Sequence, residues 1–163
     1  MDTLEPRHSE PKQSEPRHSS ITKVLAWTAV VVWAALIFLA SAKSGFDFDT
    51  GNGPLELARR WLADVLSSLM GHPVDPSPIG HFSEYLVFGA LLFNALRMHL
   101  HMSPSRVALC SIAIAAAYAV TDEFHQMLVP GRACDPVDWL VDVAAAAIAA
   151  CIFAAISNGR KHR

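Results

Sequence analysis

Polar and apolar positions fall in long blocks along this chain. After a mostly polar start, Val24 to Ala42 runs for nineteen residues without a charge, and a helix of that length, at ~1.5 Å per residue, crosses about 28 Å of hydrocarbon. Trp27, Val30, Val31, Val32, Trp33, Leu36, Ile37 and Phe38 cover every side of that helix. A soluble surface helix keeps a polar face, so the alternative of a soluble bundle is weakest here. Three further apolar stretches follow: Ile79 to Leu96, Val107 to Val120 and Val137 to Ile156. The charge-free parts of the last two are fourteen residues each, or about 21 Å against a core of ~30 Å. Their helices must therefore continue through Asp122, Glu123, Asp138 and Asp142. The expectation is an all-α protein, a bundle of four transmembrane helices.

Between the first two spans, Gly53-Pro54 opens a segment in which Leu55, Ala58, Leu62, Val65, Leu66 and Leu69 recur at helical spacing. Glu56, Arg59, Arg60 and Asp64 fall elsewhere on the wheel, and Gly71 closes it. This predicts an amphipathic helix on the outer membrane face or capping the bundle, with no chemistry assigned to it. Pro104 suits the first turn of the third span, with Ser103 as its cap. The alanines at 113, 115–117 and 144–147 let helix backbones approach closely.

The start of the chain reads differently. Glu5-Pro6-Arg7-His8-Ser9, Glu10-Pro11-Lys12-Gln13-Ser14 and Glu15-Pro16-Arg17-His18-Ser19 write one pentapeptide three times. With nothing apolar to bury and a proline every fifth position, residues 1–22 are expected to be a disordered tail. Residues 23–157 are the membrane domain and 158–163 a basic tail. His8 and His18 leave a metal-binding tail as an alternative, and Ala40-Ser41-Ala42 leaves a cleaved signal peptide as another.

Composition narrows the classes. The chain has 163 residues, 52% of them apolar and 17% charged, with a formal charge of −2; that is one domain, and nucleic-acid binding is disfavoured. Cys110, Cys134 and Cys151 are odd in number and widely spaced, so neither a disulfide framework nor a thiolate zinc site is suggested. Arg7, Lys12, Arg17, Lys23, Arg97, Arg106, Arg160, Lys161 and Arg163 lie on one side of the spans, against Lys43, Arg59, Arg60 and Arg132 on the other. Nine against four predicts an inner-membrane protein with both termini in the cytoplasm.

Candidate chemistry gathers at the outward ends. His81, Glu84, Tyr85 and Phe88 share one face of the second span; Tyr118, Asp122, His125 and Gln126 share a face of the third, with Glu123 adjacent. Arg132 follows the turn at Pro130-Gly131, and Asp135, Asp138 and Asp142 open the fourth span. Ionisable residues inside membrane spans face the protein interior and pair with one another. One reading is a sealing network in which Arg132 and the histidines neutralise carboxylates. The other is a functional site, because six carboxylates exceed what one arginine and two histidines neutralise, so that they shuttle protons or recruit a cation. The His81/Glu84 and Asp122/His125 pairs resemble carboxylate-bridged metal sites of helical bundles. Cofactor and metal content stay open at this point. There is no glycine-rich phosphate loop and no Gly-x-Ser-x-Gly.

The string His81-Phe82-Ser83-Glu84-Tyr85, then Phe88-Gly89-Ala90-Leu91-Leu92, Tyr118, Asp122-Glu123-Phe124-His125-Gln126, Pro130-Gly131-Arg132 and Asp138 resembles the VanZ-like family of small bacterial integral membrane proteins. The resemblance covers roughly Val24 to Ile156. It implies a four-helix membrane protein, in a family named after a member linked to low-level teicoplanin resistance, with polar positions at His81, Tyr85, Asp122, Glu123, Gln126, Arg132 and Asp138. This chain departs from the family by Asp142, where many relatives have Asn, and by Ala145 and Ala149, where glycines are usual. Those changes add a charge to the site and widen the helix spacing slightly.

The functional expectation is a cell-envelope protein with an outward-facing acidic pocket of His81, Glu84, Tyr85, Asp122, Glu123, Gln126, Arg132 and Asp138. Its partners would be membrane lipid and an amphiphile, either a lipid-linked wall precursor or a lipophilic antibiotic. The rivals are an enzyme acting on a lipid headgroup, with Glu123 or Asp122 as base or metal ligand and Arg132 holding a phosphate, and a structural partner subunit or small transporter. Four short spans enclose little room for a transport path, so a transporter calls for a homo-oligomer.

Overall fold

A computed structural model describes residues 19–43, 51–130, 132 and 134–160. The repeated tail before Ser19, Gly131 and the last three residues lie outside these. Five helices follow in order: α1 (Ser20–Ser41), α2 (Pro54–Met70), α3 (Ser77–Arg97), α4 (Pro104–Gln126) and α5 (Pro136–Gly159). All but α2 are long and apolar enough to cross a membrane. Among the described residues there is no strand.

Each start has a local cause. Ser19 caps α1, its hydroxyl accepting from the Thr22 N–H at 3.2 Å, so the helix begins a turn before the uncharged run and takes in residues 20–22, which the sequence assigned to the tail. Asp135 caps α5 by accepting from Val137 N–H at 2.8 Å. Ser103 does precede α4, but its side chain makes no capping bond, leaving Pro104, which has no N–H to satisfy, to start the helix. Gly71 ends α2 at φ 74°, a left-handed conformation that glycine adopts without strain. Both α4 and α5 run through their carboxylates, as the ~30 Å requirement demanded.

The core of the bundle is α3 against α5, with α4 beside them; α1 packs on the outside against α3 and, more lightly, α4. The α3–α5 approach hinges on Gly89. A Cβ there would lie 2.6 Å from the Ala146 carbonyl oxygen and 2.7 Å from its Cα, closer than atoms pack. Close approach therefore depends on a glycine in α3, while Ala145 and Ala149 are buried without preventing it.

Three aromatic tips fasten the helices. Trp33 Nε1 donates to the Glu84 carbonyl (2.9 Å), Tyr118 Oη to the Ala34 carbonyl (2.6 Å) and Trp139 Nε1 to the Ala116 carbonyl (3.2 Å). Each ring buries apolar area while its polar atom uses a spare carbonyl lone pair on a neighbouring helix. Elsewhere α1 presents Ile21, Val24, Leu25, Val31, Val32, Leu36 and Leu39 outward.

The helix α2 stands off from this bundle and is held by side chains. Lys43, just beyond α1, pairs with the buried Glu56, and Arg59 reaches Asp75 (3.1 Å) and Ser77 (3.4 Å) ahead of α3. The hydrogen bond from Lys43 holds the Glu56 carboxyl below its usual value. Burial pushes Asp75 up, but the Ser77 N–H and hydroxyl and the Arg59 guanidinium outweigh it, so its net shift is downward. Leu57, Trp61, Leu69 and Met70 on α2 are exposed.

Candidate functional site

The ionisable groups of three helices meet at the bundle end remote from the chain termini. His81 (α3), Asp122 (α4) and Asp142 (α5) are all buried, and one ligand-type atom from each lies within 4.8 Å of the others. His81 Nδ1 is 3.2 Å from Asp142 Oδ1, and Nε2 is 4.0 Å from Asp138 Oδ2. Arg132, on the loop after α4, brings Nη2 to 3.5 Å from His81 Nε2. Gln126 donates from Nε2 to Asp122 Oδ2 at 3.1 Å.

Much of this cluster is unsatisfied. Asp122 Oδ1, Asp142 Oδ2, Gln126 Oε1, the Tyr85 hydroxyl and the Ser41 hydroxyl have no hydrogen-bond partner among the described residues, nor do Glu123 Oε1 and His125 Nε2 outside the cluster; His81 Nδ1 and Asp142 Oδ1 have only their mutual contact. Buried polar atoms in folded proteins overwhelmingly have one, so the polar end of the bundle differs in kind from its apolar core.

Beside the cluster lies a cavity of about 230 Å³. Its lining joins apolar side chains, Ala40 from α1, Ala58 and Leu62 from α2 and Ile79 from α3, to the ionisable His81, Glu84, Asp122, Arg59 and Arg132 and to Ser41. The α2 helix, given no chemistry on sequence grounds, thus contributes Ala58, Arg59 and Leu62 to the lining.

The remaining expected residues are placed apart from the cavity lining. Tyr85 sits behind it, fully buried, its ring against Phe88 and Tyr118. Glu123 is buried but turned to the loop, where Oε2 accepts from the Asp135 N–H at 2.8 Å, so it braces the α4–α5 connection. Asp135 is exposed as a cap and does not join the cluster; four carboxylates, not six, surround His81 and Arg132. His125 leaves the face it was expected to share with Asp122 and stacks on Phe38, ring centroids 4.0 Å apart. Asp142, counted among the converging carboxylates, is in the cluster, and Ser41 joins the cavity lining. Asp142 was legible as one turn beyond Asp138 on the same helix face, whereas Ser41 had no signal beyond its place at the end of α1.

A comparison with protein-family models matches the VanZ/LLP1 family over residues 26–157. The chain belongs to the VanZ/LLP1 family. With four apolar helices of spanning length, this VanZ/LLP1 protein is a multi-pass membrane protein. No curated protein and no solved structure matches the chain.

Proposed function

We propose that this VanZ/LLP1 protein is a cell-envelope receptor for an amphiphile. It takes the headgroup among His81, Glu84, Asp122 and Arg132 and part of the apolar body against Ala40, Leu62 and Ile79. The observation that carries this reading is the mixed lining of the cavity, where His81, Glu84, Asp122, Arg59 and Arg132 stand with Ala40, Ala58, Leu62 and Ile79, which suits a molecule that is itself polar at one end. Ligand sites are concave, mostly apolar and fixed by a few polar groups. Arg59 and Arg132 suit the phosphate of a lipid-linked wall precursor, and the carboxylates suit the amines of a glycopeptide such as teicoplanin.

Both termini lie in the cytoplasm of the inner membrane, by the nine-to-four excess of Lys and Arg on their side. The cavity then opens toward the outer leaflet, and α2 lies at that surface with Trp61 in the interface.

Native mass spectrometry of the purified chain, titrated with undecaprenyl phosphate, teicoplanin and phosphatidylglycerol, tests the receptor. Saturable one-to-one binding of either of the first two is expected, weakened on the order of tenfold by Leu62→Trp, which fills the cavity, or by Arg132→Gln. Equal binding of phosphatidylglycerol, or indifference to Leu62→Trp, overturns it. A second reading, an enzyme acting on a lipid headgroup, is favoured by the imidazole–carboxylate contact between Asp142 and the cavity-lining His81. Headgroup release from undecaprenyl diphosphate by the purified protein, with and without divalent metals, decides it.

A further inference from the structure

We propose that His81, Asp122 and Asp142 bind one divalent transition-metal ion, with a coordination position left open toward the cavity. The site stands whether or not an amphiphile enters.

Three observations carry it. First, three ligand types on three separate helices converge to within 4.8 Å, and each side chain is more than nine-tenths buried, at 7%, 2% and 0% exposure. Ligands of a tetrahedral ion at ~2.0–2.2 Å stand about 3.3–3.5 Å apart. His81 and Asp142 are already close to that spacing at 3.2 Å, and an oxygen of Asp122 lies within 4.8 Å of both ligand atoms. Second, Asp122 Oδ1 and Asp142 Oδ2 have no hydrogen-bond partner among the described residues, and His81 Nδ1 and Asp142 Oδ1 face only one another. A dication with two carboxylates and a neutral imidazole sums to zero charge, removing the penalty of carboxylates buried without compensation.

The third observation is the outer shell. A metal-bound histidine donates its other ring N–H to a carboxylate or carbonyl, which fixes the tautomer. With Nδ1 on the metal, His81 Nε2–H faces Asp138 Oδ2, now 4.0 Å away; Arg132, which approaches the same nitrogen at 3.5 Å, gives way. Gln126 holds the Asp122 oxygen Oδ2 that does not ligate. One imidazole with two carboxylates suits zinc, manganese or ferrous iron better than calcium or magnesium, which take all-oxygen shells. Three protein ligands leave the fourth position for water or a ligand atom, and Asp122 and His81 both line the cavity.

The test uses the full chain in lipid nanodiscs, untagged, with His8 and His18 replaced by Asn so that imidazoles of the N-terminal repeat do not contribute. Equilibrium dialysis against Zn²⁺ and Mn²⁺ gives stoichiometry, and X-ray absorption of the zinc form gives the ligands. One ion per chain is expected, with one imidazole and otherwise oxygen neighbours. His81→Gln and Asp142→Asn should each weaken binding on the order of 100-fold, while Asp64→Asn on the exposed face of α2 changes nothing. Absence of stoichiometric zinc and manganese, a sulfur or multi-histidine shell, or undiminished binding in both variants overturns the proposal. Should the variants fail to fold by circular dichroism, the absorption spectrum of the protein with intact ligands still decides.

Discussion

The two ends of the bundle are built from the same helices by opposite means. Toward the termini, Phe93 and Leu96 of α3, Val107 and Ala108 of α4, and Ala150 and Ala154 of α5 form a dry cluster. At the other end the same three helices present His81, Asp122 and Asp142, with Asp122 Oδ1 and Asp142 Oδ2 left without a partner among the described residues. The same helices thus meet once through apolar packing and once through ionisable groups. Replacing buried ionic groups by apolar residues of similar size is often neutral or stabilising, so the polar end is weak evidence of added stability, in keeping with the binding role proposed for it.

The largest effect is expected from importing the character of one end into the other. Ala150→Asp puts a carboxylate into the dry cluster with no partner, where an aspartate at a membrane helix centre costs about 2.5–3.5 kcal/mol. Loss of folded protein in detergent, measured by size-exclusion chromatography, checks it. Next comes Gly89→Ala, whose methyl meets the Ala146 backbone between the two ends; overpacking of this kind costs about 1–3 kcal/mol, read as a lowered midpoint of SDS unfolding. If the variant keeps the wild-type midpoint, α3 and α5 are not in close contact.

Smaller effects sharpen the contrast. Tyr118→Phe removes the bond to the Ala34 carbonyl and should cost about 0.6 kcal/mol, the usual worth of an interhelical hydrogen bond in a membrane, in the same unfolding assay. The smallest is a pH effect on α2. Glu56 and Asp75 both titrate below their ordinary values in the folded chain, so their contribution to holding α2 is complete above about pH 5 and is lost as pH falls through the ordinary and then the depressed values. Hydrogen exchange of residues 54–70 should be constant at higher pH and faster in acid, while α3 to α5 stay protected over the same range.

The architecture was legible because membrane spans need length and little else: the uncharged runs, the shortfall of the last two and the proline starts located four helices. The α2 boundaries followed from Pro54 and Gly71. What the wheel did not yield was direction at the helix ends. His125 is four residues from Thr121 and three from Asp122, and only the presence of Phe38 on α1 decides that it stacks there. Glu123 is one residue from Asp122, yet the loop N–H of Asp135 turns it away. Arg59 was hidden because its role depends on where α2 stands relative to Asp75 and the start of α3, a matter that local periodicity does not encode.

The central claim is that α3 and α5 bring charges together inside the bundle, and a double-mutant cycle on His81→Leu and Asp142→Leu tests it most directly. Each single change leaves a buried polar partner behind, so the account predicts that the double variant unfolds in SDS at a midpoint above that of either single one, with a coupling of more than about 1 kcal/mol. Strictly additive losses would mean that the two side chains do not share a site.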